Sequence, residues 1–101
     1  MTVHTANTVT DARERRRFEL EVTGTKAFID YHRAGNVVTL TYAYVPRDLR
    51  GRGIGAALVA GALELVRQRA EKIIPQCAYV AAYIARHPHD QELLADHADV
   101  R

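Results

Sequence analysis

The sequence predicts an α+β domain in the order β-β-β-α-β-α, built on a mixed, mostly antiparallel sheet. Three observations carry this. Phe18, Leu20 and Val22 alternate with Arg17, Glu19 and Glu21, the period of a half-buried strand. The stretch "VVTLTYAYV", residues 37–45, is dense in β-branched and aromatic residues. From Arg52 to Glu71 the period lengthens to that of a helix, with Ile54, Leu58, Leu65 and Val66 on one side and charges gathering late.

The remaining elements follow from local chemistry. Residues 1–13 are rich in Thr, Ala and Asn without periodicity and read as a flexible lead-in, leaving residues 14–101 as the domain. After the first strand, "TGT" at residues 23–25 supplies a turn, "KAFIDYH" at 26–32 a second strand, and "AGN" at 34–36 a second turn. In the third strand, Val38, Leu40, Tyr42 and Tyr44 form one face and Val37, Thr39, Thr41, Ala43 and Val45 the other. Both faces carry apolar groups, which predicts a central strand covered on both sides and ended by Pro46. "KIIP", Lys72–Pro75, suits a short parallel strand after the crossover helix. A second helix over Ala78–Ala85 stops before His87-Pro88, because a residue preceding proline resists the α conformation. Residues 90–97 read as a weak helix.

Length and composition bound the function. The 101 residues suffice for one domain with one modest core. The formal charge of +2 is too small to argue by itself for nucleic acid or an anionic membrane. Cys77 is the only cysteine, so no intramolecular disulfide forms and nothing points to an oxidising compartment. The polar N-terminus lacks the apolar core of a signal peptide, and no apolar run approaches the roughly 18 residues of a membrane span, so a cytoplasmic protein is expected.

The chemistry concentrates in "VPRDLRGRGIGAALVAG", residues 45–61, where Gly51, Gly53 and Gly55 alternate beside Arg50 and Arg52 at a strand-to-helix turn. Helix N-termini present unpaired N–H groups and the positive end of the helix dipole, and glycines let an anion approach the main chain. Arg50 and Arg52 add charge-assisted bonds. The competing reading is a glycine-rich start to a helix with exposed arginines. A nucleotide triphosphate loop is excluded because Ala56, not Lys, follows Gly55. The dinucleotide fingerprint fails at Leu58, where a third glycine is required.

"RGRGIGAALV", residues 50–59, resembles the acetyl-coenzyme A motif of the GCN5-related N-acetyltransferases, Arg/Gln-x-x-Gly-x-Gly/Ala, with Arg50, Gly53 and Gly55 in its defining places. Together with "FELEV" and "IIPQCAYVAAYIARHP", the chain is similar over about residues 17–94 to the short single-domain acetyltransferase-like subgroup. The resemblance implies a minimal fold of that family, with two strands splayed apart to admit acetyl-coenzyme A. The pyrophosphate would sit on the amides of Gly51, Arg52, Gly53, Ile54, Gly55 and Ala56 beside Arg50 and Arg52, and the pantetheine arm along Tyr44 and Val45. Pro75, lacking an N–H, would help end the pairing next to that wedge. No metal is implied. The acceptor is an unidentified amine, with the protein a monomer or homodimer whose acceptor side is completed by a macromolecule or a second subunit.

For catalysis the resemblance implies Tyr83, in the place of the tyrosine that protonates the departing sulfur, although a helix tyrosine also serves as core. Tyr79, one turn earlier, is the weaker candidate. Cys77 lies at a helix start, where amides favour a thiolate, and is a candidate acetyl acceptor or base; lone cysteines also occur as inert core residues. Short relatives read His-Thr-Glu before Val-Pro, whereas this chain reads Tyr42-Ala43-Tyr44, which removes the expected base and leaves His32 as a substitute. The rival is a coenzyme A-binding module that acts through a partner with little turnover. His87, His89, Asp90 and His97 match no standard metal spacing, and "RERRR" at residues 13–17, interspersed with glutamates, reads as a solvated strand start rather than a nucleic-acid contact.

Overall fold

The computed structural model describes residues 8–95 and contains one five-stranded sheet in the order β1-β2-β3-β4-β5. The strands are β1 (Thr10–Ala12), β2 (Arg17–Val22), β3 (Thr25–Ala34), β4 (Val37–Tyr44) and β5 (Lys72–Pro75). Neighbours from β1 to β4 are antiparallel, and β4 pairs with β5 in parallel across the crossover helix α1 (Ile54–Gln68). A second helix, α2 (Ala78–Ala85), follows β5. Short 3₁₀ turns at Arg13–Arg15, Arg47–Leu49 and Pro88–Leu93 complete the chain.

Each element has a local cause. β2 and β3 are joined through Thr23 and Gly24, whose φ values of 47° and 82° give the turn handedness that matches strand twist. On α1, Leu58, Val59, Ala62, Leu63 and Val66 fall on one stripe and are all buried against the sheet. They meet Phe18, Leu20, Ile29 and Leu40 from the strands and Val80 and Ile84 from α2 in one core. At about 1.5–3 kcal/mol for each large aliphatic side chain withdrawn from water, this stripe is what fixes α1 to the sheet.

Four features differ from the pattern in the sequence. The first is at residues 10–13, expected within an unstructured lead-in, where β1 pairs with β2 and is held by long-range contacts. Val9 fills the notch left by Gly61 on α1, where a Cβ would overlap its side chain. The Asp11 carboxylate, 3% exposed, accepts bonds from the Tyr31 hydroxyl at 2.5 Å and from Arg69 at 2.6 Å, with Arg33 at 3.5 Å. The second is the start of α1 at Ile54 rather than Arg52, because Gly51 and Gly53 hold left-handed φ values of 81° and 75°. The third is at the C-terminal side, where residues 88–93 form a 3₁₀ turn in place of a weak helix, and Leu94 makes a single parallel bridge to Ile73. His97 lies outside the described residues.

The fourth difference matters most. Asp30 pairs with Tyr42 and Tyr31 with Leu40, so Thr41 is an extra residue, a β-bulge, in β4. One inserted residue inverts the side-chain alternation beyond it. Leu40 therefore points into the core, while Tyr42 (53% exposed) and Tyr44 (36% exposed) turn to the outer face beside Phe28. The expected single face through Val38, Leu40, Tyr42 and Tyr44 is broken in two. Coverage of β4 on both sides holds at Val38, Thr39 and Leu40 and lapses after them.

Burial works to raise the Asp11 carboxyl, but the Tyr31 hydroxyl, Arg69 and Arg33 outweigh it and hold it below the ordinary carboxylate range. A depressed folded-state value contributes stability that is present above about pH 4 and is lost as pH falls through the lowered value. Asp11→Asn is expected to lower unfolding free energy by about 2 kcal/mol at pH 7 in urea denaturation. The variant should also lose less stability than the native chain between neutral pH and pH 3. Equal acid sensitivity of the two proteins would contradict this account of Asp11.

Candidate functional site

The site begins where β4 and β5 stop pairing. Their ladder runs from Val37–Lys72 to Leu40–Pro75. The next β5 donor facing β4, the Gln76 N–H, turns back instead to the Ile74 carbonyl at 3.0 Å, a tight turn that carries the chain off the sheet. The Cys77 N–H makes one further bond to the Leu40 carbonyl at 2.8 Å. Past that bond, Tyr42 to Tyr44 pair with β3 alone, and the bulge at Thr41 bends this half of β4 away.

The gap opens into a cleft of about 560 Å³, within the range of small-molecule sites. One wall is the chain from Tyr42 to Val45. The other is Arg50, Gly51, Gly53, Gly55 and Ala56, and Tyr79 of α2 closes a side. Arg50 is anchored there by its Nε, which donates to the Val45 carbonyl at 2.8 Å and so ties the glycine turn to the end of β4.

The left-handed conformations of Gly51 and Gly53 swing the chain into α1 abruptly. Gly53 is the N-cap, and its carbonyl accepts from the Ala57 N–H at 3.0 Å, but no side chain caps this end. The N–H groups of Ile54, Gly55 and Ala56 therefore have no acceptor within the helix and lie at its positive pole. This end of the cleft is suited to an anion. Gly55 has a different role, since a Cβ there would collide with the hydroxyl of Tyr79 and lie 3.0 Å from its Cζ. Its missing side chain is the space in which the Tyr79 ring sits.

Of the residues expected to hold the cofactor, Tyr44, Val45, Arg50, Gly51, Gly53, Gly55 and Ala56 come together around the cleft. Arg52 is exposed and outside the lining, and the Ile54 side chain packs against the core, leaving only its amide at the helix end. Cys77, at the N-cap of α2, is half-buried against the core rather than in the lining. Tyr83 is 9% exposed, stacks on His87 with centroids 3.9 Å apart, and also stands outside the lining. Burial, with the charges of Asp90 and Tyr79, raises its phenol above the usual value. His32 is exposed on β3 opposite Thr39.

Two cleft residues, Tyr42 and Ala43, were not placed in the site by the sequence, since their orientation depends on the bulge, and a third, Tyr79, was the weaker candidate beside Tyr83. The signal for Tyr79 was Gly55 itself, a glycine within a helix that needs a neighbour to explain it. The basic run at residues 13–17 is engaged internally: Arg15 binds Glu19 at 2.9 Å and Arg17 binds Asp30 at 3.1 Å. Asp90 pairs with Arg67 at 2.8 Å. Among the described residues no group of three or more His, Cys, Asp or Glu is arranged to hold a metal ion, and no helix is long and apolar enough to cross a membrane.

Comparison with known proteins agrees with this geometry. A family model described as GCN5-related N-acetyl-transferase matches residues 17–93. Among solved structures, the chain is similar to the solution structure of a GCN5-like protein from Staphylococcus aureus. The TM-score is 0.67 at 19% identity, covering 92% of this chain and 94% of that one, a likeness of fold. No curated protein matches. With a mostly antiparallel sheet, a parted strand pair and the glycine turn all within a family match that spans most of its length, the chain belongs to the GCN5-related N-acetyltransferase family.

Proposed function

We propose that the chain binds acetyl-coenzyme A in the cleft between β4 and α1 and transfers the acetyl group to an amine. The observation that carries this reading is the uncapped start of α1 facing the open half of β4, with Arg50 bound to both sides of the gap. The amides from Gly51 to Ala56 would hold the pyrophosphate, with Arg50 at its rim and Arg52 further out. The backbone of Tyr44 and Val45 would carry the pantetheine amides. When bound, acetyl-coenzyme A supplies a thioester carbonyl carbon that an amine nitrogen attacks, with the C–S bond breaking and the thiolate needing a proton. Tyr79 is the hydroxyl donor positioned at the cleft beside the helix start, so we assign it that proton in preference to the buried Tyr83 and the recessed Cys77.

A second reading is a coenzyme A-binding module with little turnover that acts through a partner. It is favoured by the lining itself, which among the described residues contains no carboxylate and no histidine to take the amine's proton. On the first reading that proton leaves to water.

Calorimetry with acetyl-coenzyme A tests the binding step. Native protein is expected to bind, and Arg50→Ala to bind at least about tenfold more weakly, the loss of a charge-assisted contact. Absence of binding by the native chain would overturn both readings. In turnover with an amine acceptor, Tyr79→Phe should cost about a hundredfold in rate with cofactor affinity unchanged, while Tyr83→Phe and Cys77→Ser retain activity. Gly55→Ala should mimic the loss of Tyr79 by displacing its ring. Full activity in Tyr79→Phe would remove Tyr79 from the mechanism.

A further inference from the structure

The end of the cleft away from the helix start is uncharged. Of the lining residues only Arg50 carries a formal charge, and it lies at the helix end, tied to the Val45 carbonyl. The other end is made of rings, Tyr42 and Tyr44 on the outer half of β4, with Tyr79 closing a side. The charges near those rings are already paired. Asp30, the strand partner of Tyr42, is bound to Arg17 at 3.1 Å, and the Arg17 guanidinium lies 3.7 Å over the Phe28 ring. Phe28, 6.2 Å and 5.6 Å from the Tyr42 and Tyr44 centroids, thus has one face covered. Tyr42 and Tyr44 are the members of this row with open surface beside the cleft.

Spacing and charge point the same way. Tyr42 and Tyr44 stand two residues apart on one face of a strand, so their Cα atoms are about 6.6 Å apart. Two stacking contacts of about 3.5 Å each need that separation, and it admits one flat ring between the two side chains. An alkylammonium would bring a full charge to a place where the lining holds no carboxylate and Asp30 is already bound to Arg17. Ring faces do attract a cation, and the row already holds one in Arg17. An ammonium must also lose a proton before it attacks, and the lining offers no carboxylate or imidazole to take it. With the basicity of a lysine, only on the order of one molecule in 10³ is neutral at pH 7.

We infer that the acceptor is an arylamine, its nitrogen bonded directly to an aromatic ring, and that Tyr42 and Tyr44 select it by holding that ring. This inference rests on the acetyl-transfer reading proposed above. The lone pair of an arylamine is delocalised into its ring, so the nitrogen is neutral at pH 7 and needs no base before attack. The nitrogen bonds to the thioester carbonyl carbon and the C–S bond breaks. The proton on the attacking nitrogen, made acidic by the same delocalisation, goes to water. The thiolate takes a proton from Tyr79, which recovers one from solvent. The products are an arylacetamide and coenzyme A.

The test compares two isomers, p-toluidine and benzylamine, which share one formula but differ in charge at pH 7, the first neutral and the second an ammonium. Each is titrated into the intact protein with coenzyme A present, and the Tyr42 and Tyr44 ring signals are followed by NMR. The expected result is at least about tenfold tighter binding of p-toluidine than of benzylamine. Tyr42→Leu should weaken p-toluidine binding about fivefold, the loss of one ring contact, and Tyr42→Phe, which keeps the ring, should restore it. In turnover, the rate with p-toluidine should stay level between about pH 6 and pH 8, while that with benzylamine rises about tenfold per pH unit as its neutral form appears. Equal affinity for the two isomers, unchanged p-toluidine affinity in Tyr42→Leu, or faster acetylation of benzylamine at pH 7 would overturn the inference. Acetyl-coenzyme A binding is measured on the same samples. Cofactor binding without a preference for p-toluidine would overturn the inference and leave the transfer reading standing. Absence of cofactor binding would overturn the transfer reading and the acceptor role with it.

Discussion

The site depends on where β4 stops being paired. Four residues of β5 pair with β4, and β5 then leaves it where the Gln76 N–H turns back to the Ile74 carbonyl. Had β5 continued for four more residues, Thr41 to Tyr44 would be a central strand and the cleft would be filled with side chains. An unpaired half-strand inside a fold is costly, because exposed N–H and C=O groups need partners. The fold meets that cost with solvent and, on the proposed reading, with the amides of a pantetheine arm. The bulge at Thr41 works in the same direction, bending the free half away and turning two tyrosines toward solvent.

The rest of the chain holds the two walls of this gap at a fixed separation. α1 is set against the sheet by its buried stripe and secured at its C-terminal end by Arg69 on Asp11. Its N-terminal end is drawn to β4 by Arg50 on the Val45 carbonyl. Arg33 joins Tyr31 to Glu71, so the turn between α1 and β5 is fastened to the middle of the sheet as well. The glycines of the motif divide the remaining work. Gly51 and Gly53 supply backbone conformations that other residues adopt at a cost, Gly55 makes room for Tyr79, and Gly61 for Val9.

Much of this was legible in the amino-acid order. β5 and α2 have the bounds the pattern predicts, and the glycine turn sits where the strand-to-helix change placed it. These elements are read from local chemistry: a proline, a period, a run of β-branched residues. The parts that were not legible depend on partners distant in sequence. β1 is short and polar and forms because Val9 meets α1 and Asp11 meets Tyr31, Arg33 and Arg69. The bulge leaves no local mark, since Thr41 is as suited to a regular strand as to an irregular one, yet it decides which side of the sheet Tyr42 and Tyr44 face. Tyr79 and Tyr83 are one helical turn apart, and only the position of α2 against α1 decides which of them reaches the cleft.

The central claim is that the parted strands and the start of α1 form one binding site for coenzyme A. The most direct measurement is backbone amide NMR of the protein during titration with coenzyme A. The account predicts shifts concentrated at Gly51, Gly53, Ile54, Gly55 and Ala56 and along β4 from Tyr42 to Val45, with the β1–β2 end of the sheet unmoved. Shifts confined to the arginines at residues 13–17, or none along β4 and the glycine turn, would contradict it.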